Sequence, residues 1–236
     1  MYMNRNFFIL LLIIITYYCM NYKHEKFTST NKKLSQTEIK EKVTYGLKII
    51  DMIFNKHNIY YTVAYGTLLG AVRHWDMIPW DDDADVNVMR KDYSKILKLK
   101  DEFKKHGLIM KTDWKLIKIY FDETEFPFID IFINEEKDGK IIRCHQPYDN
   151  KCVTLERNNE WWWKWIDYPS KWILDKKRYK FGSIEVWGPK HADKILKFWY
   201  GEKCLEECQT PILDHITGDE IKPENISCGK LPKPQL

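Results

Sequence analysis

Apolar residues return at spacings of three and four along Ile39, Val43, Leu47, Ile50 and Phe54, the period of one helix face. Ser35-Gln36-Thr37-Glu38 just ahead of them is a capping box, so the pattern predicts an amphipathic helix running to about Lys56. Residues 59–64 are short and β-rich, and lead into Gly66-Thr67-Leu68-Leu69-Gly70, read as a glycine-containing turn and a short helix through Arg73. From Asp83 the chain alternates: Asp83, Asp85 and Asn87 fall on one face of a strand, and Ala84, Val86 and Val88 on the other. Lys91 to His106 predicts a second helix, with Tyr93, Ile96, Leu97 and Phe103 inward and Gly107 as its stop. Strands are predicted from Lys115 to Phe121 and from Phe126 to Ile133, parted by the acidic turn 122–125, and Asp138-Gly139 marks a hairpin into Ile141-Ile142-Arg143. Gly182 to Trp187 is strand-like, and Ala192 to Tyr200 reads as a helix ended by Gly201. No linker or low-complexity stretch divides residues 35–236, which predicts one α/β (α+β) domain.

The start of the chain follows a different pattern. Phe7 to Ile15 is an unbroken apolar run with Arg5 ahead of it. Such a run is a cleaved signal peptide or a signal anchor; a core helix fits less well, because no polar face interrupts it. Cleavage favours small residues after the run, and Tyr17, Tyr18, Cys19 and Met20 stand there instead. A retained N-terminal signal-anchor helix is therefore expected over residues 1–22, followed by a polar stem over 23–34. The run is short against the roughly 20 residues of a full span, which suits a thinner early-secretory membrane. Lys23 and Lys26 compete with Arg5 under the positive-inside rule, so orientation rests on other features. Asn225-Ile226-Ser227 is an acceptable glycosylation sequon. Together these give the expectation of a type II protein, held in a Golgi or endoplasmic reticulum membrane by its anchor, with a lumenal catalytic domain.

Composition narrows the classes. Lys and Arg number 38 against 34 Asp and Glu, a net charge of +4 spread along the chain, which gives no case for a nucleic-acid binder. Ten Trp and fourteen Tyr offer ring faces for stacking as well as for packing. The run Trp161-Trp162-Trp163-Lys164-Trp165 fits a sugar or base platform, and a partly buried packing cluster at least as well. Five cysteines follow the anchor: Cys144, Cys152, Cys204, Cys208 and Cys228. The odd count leaves one thiol free or paired between chains, which admits a homo-oligomer. Cys144, His145 and Cys152 fall short of a tetrahedral zinc set, so a local disulfide or buried thiols are expected there. Asp214-His215 is a catalytic pair by residue type, but as an isolated dipeptide it is read as structural.

The chemistry concentrates at Asp81, Asp82, Asp83 and Asp85. Carboxylates crowded this closely repel, and a fold keeps them only with protonation or a cation. Oxygen ligands of this kind favour magnesium, manganese or calcium. The EF-hand spacing, with its central Gly and terminal Glu, is absent. A solvated acidic turn would not need the apolar alternation of Ala84, Val86 and Val88 behind it. Asp130, alone among Phe128, Ile129, Ile131 and Phe132 of a predicted strand, is placed to add a third acid.

Tyr65-Gly66-Thr67-Leu68-Leu69-Gly70-Ala71-Val72-Arg73-His74, followed by Ile78-Pro79-Trp80-Asp81-Asp82-Asp83-Ala84-Asp85-Val86, closely resembles the signature of the LicD family, which includes bacterial LicD proteins, fukutin and fukutin-related protein. The resemblance is strongest over residues 59–93. It continues more loosely through Lys118 to Phe121, Ile129 to Phe132 and Gly182 to Gly201. It implies a nucleotidyltransferase-type core, DNA polymerase beta-like, with a mixed sheet flanked by helices. It also implies transfer of a phospho-group, such as phosphocholine, phosphoethanolamine or ribitol phosphate, from a CDP-linked donor to a glycan hydroxyl with Mg2+ or Mn2+. By the same resemblance Gly66 and Thr67 form the phosphate-binding turn, and Asp83 and Asp85 are the metal pair with Asp81 beside them. Asp130 is the third acid, Arg73 neutralises donor phosphate or the CMP leaving group, and Lys118 assists from the next strand.

Two departures stand out: the chain after Lys137 is short and Trp-rich, with no recognisable acceptor domain, and no Cys cluster precedes the Gly-Thr turn to form a zinc loop. The competing readings are a nucleotidyltransferase using a nucleoside triphosphate, a non-catalytic glycan-binding or scaffold protein of the same fold, and a calcium-dependent lectin.

Overall fold

Ser35 caps the first helix, α1 (Gln36–Lys56): Glu38 N–H donates to its hydroxyl at 3.3 Å, and Ser35 N–H donates back to Glu38 Oε2 at 2.8 Å. The capping box therefore forms as the sequence predicts. The computed structural model describes residues 34–112, 116–144, 152, 167–213, 215 and 219–236. The chain divides into the units Met1–Leu34 and Ser35–Leu236, and the architecture belongs to the second. The expected signal anchor and stem (apart from Leu34) and the Trp161–165 run lie outside the described residues. No described helix is long and apolar enough to cross a membrane.

Helix α1 buries Ile39, Val43, Leu47, Ile50 and Phe54, the stripe that the spacing predicts. It presses close to the sheet at Gly46, where an added Cβ would stand 2.6 Å from Ile129 Cδ1 and 2.7 Å from Phe121 Cζ. The remaining elements follow in order. They are β1 (Tyr61–Val63), α2 (Tyr65–Arg73), β2 (Ala84–Met89), a 3-10 turn (Arg90–Asp92), α3 (Tyr93–Leu97), α4 (Lys100–Lys105) and β3 (Ile109–Thr112). After these come β4 (Ile117–Tyr120), β5 (Phe128–Lys137), β6 (Lys140–Arg143), β7 (Tyr168–Pro169) and α5 (Lys171–Leu174). The chain closes with β8 (Lys176–Phe181), β9 (Ile184–Pro189), α6 (Ala192–Tyr200), β10 (Cys208–Gln209) and β11 (Asn225–Ile226).

The main sheet runs β1-β2-β5-β4-β3, with β6 paired to β5 and β7 to β6. Only β2 and β5 are parallel; the other pairs are antiparallel, so the sheet is mixed. The alternation of side chains gives its two faces different chemistry. Val86, Val88, Ile117, Ile119, Ile129, Ile131 and Ile133 have no exposed surface and form the apolar face. Each such burial contributes about 1.5–3 kcal/mol relative to exposure. Asp85, Asn87, Lys118, Asp130, Phe132 and Asn134 alternate with them and share the opposite face. There Asn134 Nδ2 donates to Asn87 Oδ1 at 2.9 Å. The β5–β6 hairpin turns at Asp138 and Gly139, φ +52° and +75°, the positive pair that a two-residue primed turn requires.

The predicted helix over Lys91–His106 is broken instead. Lys98 and Leu99 donate to carbonyls three residues back, at Lys95 and Ile96. This tighter turn brings Leu99 into the core and leaves Leu97 37 % exposed, so Ile96, Leu99 and Phe103 form the inward set. Strand β8 carries no strand pattern in the sequence, because Lys-Lys-Arg-Tyr-Lys-Phe places its inward residues, Tyr179 and Phe181, only at its end. Its Arg178 makes a two-pronged pair with Asp51 of α1, at 2.6 and 3.1 Å, and Asp51 also accepts the Tyr61 hydroxyl. Cys144 pairs with Cys152 and Cys208 with Cys228, while Cys204 is a buried free thiol. The disulfide spends the two sulfurs that a zinc site at Cys144 and Cys152 would have needed.

Candidate active site

The site is built where β1 hands over to α2. Tyr65, at φ +42°, starts the helix at once, so Gly66 and Thr67 form the first turn of α2 and not a separate loop. A Cβ at Gly66 would stand 2.9 Å from Asp81 Oδ2 and could be admitted only by displacing that carboxylate. Thr67 is buried, and its hydroxyl accepts the Asp85 backbone N–H at 2.8 Å. The Asp85 carbonyl in turn accepts Ala64 N–H at 2.9 Å. The start of α2 is thus fastened to the start of β2.

Register then gathers the acids. Asp85 stands opposite Asp130 across the parallel β2–β5 pair, and Lys118 stands opposite Asp130 across β4–β5. Oxygens of Asp83, Asp85 and Asp130 all lie within 4.8 Å of one another. Burial, reinforced by mutual repulsion, holds the carboxyls of Asp83 and Asp85 well above the usual carboxylate range. Asp81 is pushed up to about 7, by burial first and by Asp82 second. Lys118 Nζ donates to Asp130 Oδ1 at 2.6 Å and lies 3.7 Å above the Phe128 ring. Among the described residues no Lys or Arg hydrogen-bonds to Asp83 or Asp85. Three convergent hard-oxygen donors fit a divalent cation of the Mg2+ or Mn2+ type, which would add to the charge that Lys118 supplies at Asp130.

A histidine joins from far along the chain. His215 Nδ1 lies 2.6 Å from Asp82 Oδ1, and its Nε2 lies 3.7 Å from Asp83 Oδ2. Burial acts to lower the pKa of this imidazole, but the Asp82 hydrogen bond and the charges of Asp83, Asp82 and Asp81 override it and raise it to about 9. The Asp214-His215 dipeptide, read from sequence as structural, therefore delivers its histidine to the acid cluster. Asp214 lies outside the described residues.

Gly66, Asp81, Asp83, Asp85, Asp130 and His215 line one cavity of about 950 Å³. Its aromatic wall includes Tyr65, Phe132, Trp199 and Tyr200, with Tyr65 and Trp199 rings 4.4 Å apart. Arg73 lines it too, but its Nη1 donates to the carbonyls of Cys204 and Glu207, both at 2.8 Å, and its Nε to His74 Nε2 at 3.0 Å. Burial and the Arg73 charge push His74 down to about 4, which keeps that ring nitrogen free to accept. Arg73 therefore fastens the 204–207 segment as the far wall, helped by Trp80 Nε1 donating to the Gln209 carbonyl at 3.0 Å. Arg143, which the sequence marked only as the end of a strand, also lines the cavity. A cation closing an apolar strand was the one signal for it.

Residues 58–191 match the family model described as LicD/FKTN/FKRP, nucleotidyltransferase domain. The chain belongs to the LicD family. An uncharacterized protein of Rickettsia typhi is 33% identical over 176 residues, covering 73% of this chain and 51% of that one. The lipopolysaccharide cholinephosphotransferase LicD of Haemophilus influenzae is 38% identical over 69 residues, 28% of this chain and 25% of that one. The human ribitol 5-phosphate transferase FKRP is 20% identical over 167 residues, 67% of this chain and 31% of its own. The chain thus spans about half the length of the Rickettsia relative. Gly66, Thr67, Arg73, the Asp cluster, Lys118, Asp130 and Arg143 all fall inside the LicD match, whereas His215 lies beyond it.

Proposed function

We propose that this LicD-family protein transfers a substituted phospho-group from a CDP-linked donor to a hydroxyl of a glycan, with Mg2+ or Mn2+ held by Asp83, Asp85 and Asp130 and with Asp81 beside them. The observation that carries the reading is the convergence of these acids inside a cavity large enough for a nucleotide. The printed activities of two relatives, cholinephosphotransferase and ribitol 5-phosphate transferase, support the reaction class.

A divalent ion in such a site neutralises phosphate charge and fixes its geometry. The chain's own residues do the rest. The first turn of α2, with Gly66 bare of side chain, lets donor phosphate approach its backbone. Lys118 and Arg73 add positive charge, and the aromatic wall offers a stacking surface that excludes water. In the transfer a bond forms between the acceptor oxygen and phosphorus while the bond from phosphorus to CMP breaks. The acceptor proton passes to a carboxylate of the cluster. Asp85 or Asp130 is the carboxylate that takes it.

The two disulfides support an oxidising compartment, and the sequon at exposed Asn225 is accessible there. Both favour a lumenal catalytic unit held at a secretory-pathway membrane.

The full chain, incubated with Mg2+, a glycan acceptor and in turn CDP-choline, CDP-ethanolamine, CDP-ribitol and CDP-glycerol, should release CMP from one of them. Release of pyrophosphate from CTP, with no CMP from any CDP-linked compound, would favour nucleotidyl transfer instead.

A further inference from the structure

Arg143 and Arg73 are both buried arginines on the same cavity, at 4 % and 3 % exposure, yet they are used differently. Arg73 has its donors on two backbone carbonyls and a neutral histidine, the pattern of a clamp. Arg143 does not. Its Nη2 donates to the Tyr65 hydroxyl, and its Nε is buried with no acceptor. Among the described residues its Nη1 has none either. A guanidinium carries five donor hydrogens, and leaving most of them unmet in a buried place is costly unless a ligand meets them.

Its position says which ligand. Arg143 pairs with Asn134 on β5, and its side chain turns back along that strand to lie 3.9 Å above the Phe132 ring. Phe132 is two residues from Asp130 on the same face, a step of roughly 7 Å along a strand. The guanidinium and the acid cluster thus line one cavity, with Phe132 beneath the guanidinium one two-residue strand step from Asp130. Tyr65, held in α2, accepts one guanidinium donor while Phe132 packs against the guanidinium face.

We infer that Arg143 is a donor-binding residue that takes the phosphate oxygens of the nucleotide diphosphate in this cavity. This rests on the nucleotide-donor reading for the identity of the ligand, but not for the anion site itself. The planar fork of an arginine matches two phosphate oxygens at once, which an ammonium at the same place does not.

The test is calorimetric titration of the full chain with Mn2+ alone, and then with inorganic pyrophosphate and CDP in the presence of Mn2+. Wild type is compared with Arg143→Gln, Arg143→Lys and Tyr65→Phe. Arg143→Gln is expected to lose roughly ten- to a hundredfold in affinity for both pyrophosphate and CDP. Its Mn2+ affinity should stay equal or rise, since a cation lining the same cavity has gone. Arg143→Lys should fall between, and Tyr65→Phe should weaken pyrophosphate by a smaller factor. Unchanged pyrophosphate and CDP affinity in Arg143→Gln overturns the inference. So does an equal loss of Mn2+, pyrophosphate and CDP in both Arg143 variants, which would make the arginine a structural counter-ion. Absence of pyrophosphate binding by the wild type overturns it as well. Arg143-dependent binding of pyrophosphate with no gain for CDP would support the anion site and sink the cytidine-donor reading alone.

Discussion

The hydroxyl of Thr67 accepts the backbone N–H of Asp85 at 2.8 Å, so one hydrogen bond joins the first turn of α2 to the strand that carries the acids. Thr67 is buried at 3 % exposure. Thr67→Val keeps the shape and orphans the Asp85 amide, at a cost of about 1–3 kcal/mol. Thr67→Ser keeps the bond and should cost less. Urea unfolding midpoints of the two variants check this; equal midpoints would mean that the bond contributes nothing.

Gly66 predicts a different kind of defect. The atom that an added Cβ would meet is a carboxylate oxygen of Asp81, the end of a side chain that is able to move. Gly66→Ala should therefore leave thermal stability nearly unchanged, with the helix-favouring alanine offsetting part of the strain. It should nonetheless lower divalent-cation affinity several-fold by displacing Asp81. A variant that melts as wild type does and binds Mn2+ as tightly would show that Asp81 has no part in the cation site.

His215 gives the account a pH signature. Its folded value of about 9 lies above the roughly 6.5 of an unfolded histidine. The pairing with Asp82 therefore stabilises the fold fully below about pH 6.5, and that contribution is lost as pH rises through about 9. With a chelator present, wild type should melt above His215→Gln at pH 6, and the gap should close by about pH 10. Melting curves across that range test it. A gap that does not change with pH would remove the ion pair from the account.

Much of the fold is legible in local pattern, where local physics decides. The Ser35 and Glu38 cap, the stripe of α1, the Asp138-Gly139 turn and the helix ended by Gly201 each rest on residues a few positions apart. The alternation around Asp85 and Asp130 also shows which face each acid takes, and β-pairing then brings the two into register. What stays hidden comes from distance. His215 is 133 positions from the Asp82 that it meets, and Arg143 is 78 from Tyr65. Neither sits in a motif, because the sheet and the returning C-terminal segment place them. Arg73 shows the converse: its motif suggests phosphate, while its environment spends its donors on the 204–207 carbonyls. The break at Lys98 is illegible for a third reason, since Leu97 and Leu99 are equally apolar and only packing selects between them.

The central claim is that Asp83, Asp85 and Asp130 act as one divalent-cation site, and Mn2+ titration of the full chain followed by electron paramagnetic resonance addresses it most directly. Wild type should take up one tightly bound Mn2+, and Asp85→Asn and Asp130→Asn, which keep the shape and remove a charge, should each lose that site. Retention of wild-type Mn2+ affinity by both variants, or no uptake by the wild type, would contradict it.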